Sequence, residues 1–169
     1  MPPPADLQGR LRALRERISA AAERAGRDPA AVLLLAVTKG QPLEVLQEAV
    51  GAGLEELGEN YVQECWEKAS QLGQRAGIRW HLIGHLQRNK ARRAARLFQM
   101  VESLDSAALA AQLAAAVPSP GPPLPVLLEV ELTGLATRSG IRERELIRVA
   151  EAVAQLPQLR LSGLMTVAS

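Results

Sequence analysis

Lys39 is the residue of this chain best placed to do covalent chemistry. It follows an apolar run, Val32-Leu33-Leu34-Leu35-Ala36-Val37-Thr38, bounded by turn residues, which reads as a strand buried on both faces. A lysine at the carboxyl end of such a strand stands where open parallel sheets and barrels bind their ligands. There it can lose its proton and form a Schiff base with an aldehyde. A solvated lysine at a strand end is the plainer alternative and the commoner fate of such a position.

Other polar groups fall at strand ends. In the stretch 126–132, Val126, Leu128, Val130 and Leu132 share one face, while Leu127, Glu129 and Glu131 share the other. In a barrel the two carboxylates would line the mouth; on an edge strand they would be solvated. The alternation supports both. His81 and His85 are four apart, which on a helix would suit a metal. They lie on a strand and its following loop, where that spacing does not converge, so no metal site is expected. His81 shares a face with Arg79 and Ile83. His85 lies in the loop at the mouth and is the better ligand contact, with structural hydrogen bonding the simpler role for either. Arg88, Arg92 and Arg96 form an i, i+4 stripe, with Lys90 and Arg93 nearby. An RNA-binding module could use such a stripe, but no aromatic platform is apparent beside it. A solvated helix face is the expectation, with no nucleic-acid partner.

The elements that must position these groups alternate. Leu7, Leu11, Leu14 and Ile18 form one face of a helix ending near Gly26. After the first strand come a helix opened by Pro42, with Leu43, Leu46 and Val50 on its apolar side, a short strand over 54–59, and a helix over 61–72. Then follow a strand at 78–84, a helix at 89–98, and a strand at 100–104 with Asp105 or Ser106 as the next N-cap. Leu109, Leu113 and Val117 line the next helix, 126–132 is a strand, Leu146 to Leu156 is helical, and 159–167 contains a last strand. Six strands, each but the last followed by a helix, predict a parallel sheet with right-handed crossovers. Periodicity leaves two architectures open, a doubly wound sheet and a (β/α)8 barrel with six of its eight units.

Composition narrows the class. The chain has 169 residues, 47% of them hydrophobic, and a net charge of +2, as expected of one folded domain with little pull toward nucleic acid. Tyr61, Trp66, Trp80 and Phe98 are its aromatic residues, so Leu, Val, Ile and Ala must build the core. Cys65 is the one cysteine, which excludes an intramolecular disulfide and fits a reducing cytoplasm. There is no apolar run long enough to span a membrane and no signal-peptide pattern at the start.

Five segments together resemble one family. Leu35-Ala36-Val37-Thr38-Lys39 is similar to the strand that carries the cofactor lysine in the YggS-type pyridoxal-phosphate homeostasis proteins. Gly58-Glu59-Asn60-Tyr61-Val62-Gln63-Glu64 resembles their second-strand signature, and Trp80-His81-Leu82-Ile83-Gly84-His85-Leu86-Gln87-Arg88-Asn89-Lys90 their third. Ser139-Gly140-Ile141 and Gly163-Leu164-Met165 match shorter motifs, in the same order and with suitable spacing.

The resemblance implies an alanine-racemase N-terminal-type (β/α)8 TIM-type barrel, here with about six of eight β/α units. It also implies pyridoxal 5′-phosphate held as a Schiff base on Lys39. Asn60 and His85 would contact the cofactor and Met165 would pack on its ring. An N-cap or turn role for Asn60 and core filling for Met165 are the alternatives. The implied role is intracellular vitamin B6 homeostasis without established turnover: a cytoplasmic protein that buffers the cofactor or delivers it to apo-enzymes dependent on it. A racemase-like enzyme is the alternative, but it needs two acid/base groups, and Lys39 is the one that can be named. Arg138 stands where the family usually has lysine. The family continues for two more units that carry the phosphate loop, so no residue here is assigned to the phosphate. The expected organisation is a disordered tail over 1–6 and one domain over 7–169, shortened at its C-terminal end.

Overall fold

The computed structural model describes residues 6–73, 77–134 and 139–167. Its elements run α1 (Leu7–Arg24), β1 (Ala36–Val37), α2 (Leu43–Gly51), β2 (Glu56–Glu59), α3 (Val62–Leu72), β3 (Arg79–Leu82), α4 (Ala91–Leu97), β4 (Met100–Leu104), α5 (Ala107–Ala114), β5 (Leu124–Glu129), α6 (Glu143–Ala154) and β6 (Leu159–Met165). Single 3₁₀ turns at Pro29–Ala31 and Arg88–Lys90 precede β1 and α4. Asp6, expected in the tail, is the N-cap of α1 and accepts the Gly9 N–H at 2.8 Å. The rest of that tail, and Arg138, lie outside the described residues.

All six strands are parallel, and their spatial order is their sequence order, β1 to β6. A doubly wound sheet reverses direction at a switch point; an uninterrupted order is that of a barrel wall. The face toward the helices is the main core. Leu57, Leu82, Val101, Val126 and Leu128 are fully buried there, against Leu46, Ala94, Leu109, Leu113 and Val153 of the helices. On the opposite, concave face a Cβ on Gly58 would lie 3.1 Å from Ile83 and 3.3 Å from Leu35, so alternate strand positions already fill that side.

Three expectations change. The run 32–38 is not a strand buried on both faces. Only Ala36–Val37 forms a paired strand, and Val32, Leu33 and Val37 are exposed, since among the described residues β1 has β2 as its one neighbour. Pro42 is the N-cap of α2 rather than a residue of its first turn. The edge-strand alternative for 126–132 fails: β5 is paired on both sides, by β4 and β6, and ends at Glu129, with Leu132 beyond it and exposed. Ser106, one of the two expected caps, does cap α5 by accepting the Leu109 N–H. Among the described residues, no helix is long and apolar enough to cross a membrane.

Candidate functional site

Lys39 leaves β1 in a tight turn. The Gln41 N–H donates to the Thr38 carbonyl at 3.1 Å, and Gly40 has φ +68. Lys39 is thus the second residue of a four-residue turn whose third needs positive φ, which glycine supplies without strain. The side chain is exposed. Thr38, just before it, is buried; its N–H donates to the Gly58 carbonyl at 2.9 Å and its hydroxyl to Glu59 at 2.6 Å.

Beneath this turn lies an ionic group that the sequence analysis did not anticipate. Lys68 of α3 is buried, and its Nζ donates to Glu59 (2.7 Å), Glu64 (2.7 Å) and the Thr38 carbonyl (2.6 Å). Glu64 in turn accepts the Gly40 N–H at 2.6 Å. Burial opposes the Lys68 charge, but the hydrogen bonds it donates to the two carboxylates outweigh it and hold its pKa above the usual lysine value. The Lys68 hydrogen bond holds the Glu64 carboxyl below its ordinary value, against the effect of burial. Glu64 and Lys68 are four apart in the favourable helical order, a signal visible in the sequence. Glu59 comes from another element, and nothing in the linear pattern brings it in.

The register of β1 and β2 pairs Val37 with Gly58, so the Lys39 turn and Asn60 both follow the carboxyl ends of adjacent strands. Asn60 does not cap α3. Tyr61 is the N-cap, without a side-chain bond, so the capping role is not realised. Asn60 and His85 instead share a cleft of about 310 Å³, also lined by Ile83, Gly84, Glu129 and Ser139. Gly84 is required for its wall, since a Cβ there would stand 2.5 Å from the Asn60 carbonyl oxygen. Ser103 pins the same turn by donating to the Gly84 carbonyl at 2.6 Å. The half-exposed His85 places Nδ1 3.0 Å from Asp105.

Glu129 and Glu131 part company. Glu131 accepts hydrogen bonds from Thr133 and Gly134 and so closes the loop after β5. Glu129 is buried in the cleft wall and accepts a hydrogen bond from Ser139 (3.1 Å), and its Oε2 is buried without a partner among the described residues. Burial, with a smaller push from Asp105, raises its pKa above the ordinary carboxylate value; the Ser139 hydrogen bond opposes this. Met165 is half-buried at the end of β6, paired with Glu129, and outside the cleft lining.

His81 is a buried structural group, as its simpler reading held. Its ring nitrogens lie 2.6 Å from Glu56 and 2.6 Å from Glu102 across three strands of the concave face. Burial disfavours its charge, but the two carboxylates win and raise its pKa. The stripe Arg88–Arg96 does have an aromatic neighbour, contrary to expectation. Side-by-side packing of α3 and α4 sets the Arg93 guanidinium 5.3 Å from the Trp66 ring centroid.

A six-stranded parallel wall in sequence order, with a lysine turn and a polar cleft along its carboxyl rim, defines a domain of the β/α-barrel class. The family model described as alanine racemase, N-terminal domain, matches residues 10–169. Over 165 residues the chain is 42% identical to the pyridoxal phosphate homeostasis protein of Escherichia coli, covering 96% of this chain and 70% of that one. It is 47% identical over 151 residues to the protein of that name from Pseudomonas aeruginosa, covering 89% of this chain and 65% of that one. PipY of Synechococcus elongatus, solved with pyridoxal phosphate bound, matches with TM-score 0.75 and 35% identity over 92% of this chain and 70% of its own. The chain belongs to the pyridoxal phosphate homeostasis protein family, within the alanine racemase N-terminal-domain fold. It spans about two thirds of the length of these curated relatives. An alanine racemase of Clostridium difficile, 17% identical with TM-score 0.69, shares the fold.

Proposed function

We propose that this chain binds pyridoxal 5′-phosphate at the carboxyl rim of its sheet, with Lys39 as the attachment residue, and takes part in vitamin B6 homeostasis. The observation that carries this is the pyridoxal-phosphate-bound PipY structure, which aligns with 92% of the chain at 35% identity. The residues present fit the group. An exposed amine stands on the turn after β1, and a polar cleft at the carboxyl ends of the strands, lined by Asn60, His85 and Glu129 but not by Lys39, contains a buried carboxylate oxygen with no partner among the described residues.

When bound, the cofactor supplies an aldehyde that condenses with a primary amine. Lys39 presents that amine on the turn after β1. Asn60 and His85 provide polar contacts from the cleft, and Met165 provides an apolar surface at the end of β6. Asp105 orients His85. The role is storage and delivery without turnover, as the homeostasis-protein names of the relatives support; racemisation needs two acid/base groups on opposite faces of the substrate carbon, and Lys39 is the one assigned here. Apo-enzymes that require the cofactor are the recipients, and the compartment is the cytoplasm.

Titration of the purified protein with pyridoxal phosphate, followed by visible absorbance, tests this reading. Wild type should saturate with the cofactor bound to one residue per chain, and Lys39→Ala should lose the absorbance change. An equal response from both proteins would refute the assignment.

A further inference from the structure

The Lys39 turn has little holding it from the strand side. Among the described residues β1 is two residues long and pairs with β2, and Val37 is exposed. Lys39 itself is exposed, on a side chain with large rotamer freedom. A nucleophile gains from proximity only when its direction of approach is fixed, so the turn must be restrained from elsewhere. The peptide groups on both sides of Lys39 are in fact held by α3. The Thr38 carbonyl accepts from Lys68 at 2.6 Å, and the Gly40 N–H donates to Glu64 at 2.6 Å. Glu59 at the end of β2 accepts from both Lys68 and Thr38, and so locks the group to the sheet. These are short, charge-assisted bonds, the stronger kind of hydrogen bond.

We propose that Glu64 and Lys68 are positioning residues: they clamp the backbone before and after Lys39 and thereby set the direction in which its amine leaves the turn. The inference rests on Lys39 being the attachment residue. In this role both residues act through the turn and not on the cofactor itself. Lys68 is buried with all its contacts inside the clamp, and Glu64 acts through the Gly40 amide.

Glu64 is the informative position. It is partly exposed, and its loss leaves the Lys68–Glu59 pair intact, whereas removing Lys68 strands a fully buried carboxylate and endangers folding. Glu64→Ala should raise the half-saturating pyridoxal phosphate concentration about tenfold, the effect of losing one hydrogen bond to a charged group. Glu64→Gln, which retains an acceptor oxygen for Gly40, should recover most of the affinity. A Glu64→Ala protein that binds as wild type overturns the proposal, and so does equal loss in both variants. Hydrogen exchange of the Gly40 amide in wild type is a test that needs no variant. The amide belongs to an exposed residue, and the clamp predicts that it is protected; exchange at the free-chain rate overturns the clamp. A wild type that fails to bind on Lys39 while Gly40 is protected would sink the functional reading instead, and the positioning role with it.

Discussion

His81, Glu129 and Gly84 each convert local chemistry into a measurable consequence. The pKa of His81 is raised from its ordinary 6.5, so the folded state holds that proton more tightly than the unfolded chain. Its stabilisation is complete below about pH 6.5 and is lost as pH rises through the raised folded value. The thermal midpoint of wild type should therefore fall over that interval, and His81→Gln should flatten the slope. Glu129 is also raised, from 4.5, but as a buried acid. The folded state tolerates its protonated form and is penalised as pH climbs through the raised value. Glu129→Gln should accordingly raise the melting temperature at pH 7 and leave it unchanged well below pH 4.5; a lower midpoint at neutral pH would contradict the burial argument. Gly84→Ala forces a Cβ to within 2.5 Å of the Asn60 carbonyl oxygen. It should cost about 1–3 kcal/mol in denaturant unfolding and displace Asn60 from the cleft.

At the scale of elements, apolar periodicity carried most of the information. The apolar spacing predicts α1, α2, α5 and α6, the ranges 61–72 and 89–98 contain α3 and α4, and β4 occupies the same residues that the pattern gives, 100–104. The failures have physical causes. The run 32–38 is apolar enough for a buried strand, but its burial depends on a second neighbour that no local pattern reports, and β1 shrinks to Ala36–Val37. Trp66 and Arg93 are 27 positions apart in sequence and meet because α3 and α4 belong to adjacent units. In the same way Glu56 and Glu102 find His81 through sheet register, and Glu59 finds Lys68 through the packing of α3 on β2, neither of which alternation along a single strand can supply. Asn60 and His85 share a cleft; Met165, paired with Glu129 of that cleft, and Lys39 are not among its lining residues. The core prediction belongs at this scale. Leu57 and Leu128 are completely buried between sheet and helices, so Leu57→Ala or Leu128→Ala should each destabilise the protein by about 2–5 kcal/mol in denaturant titrations.

For the whole molecule, the sequence left a doubly wound sheet and a barrel in competition, because both alternate strand and helix. The spatial order β1 to β6 without reversal decides between them. Amide protection should follow that order. β2 to β5 are paired on both sides, while β1 and β6 each have one neighbour among the described strands, so hydrogen exchange should be slowest in β2–β5 and fastest at the two outer strands. The central claim is that this wall exists to present one particular amine. The chain's lysines are Lys39, Lys68 and Lys90, of which Lys68 is buried in its ion group. The most direct test is to load the protein with pyridoxal phosphate, reduce with borohydride, digest, and map the modified peptide by mass. A single stoichiometric adduct on Lys39 is the predicted result. Label scattered over Lys39, Lys68 and Lys90, or no label, would contradict it.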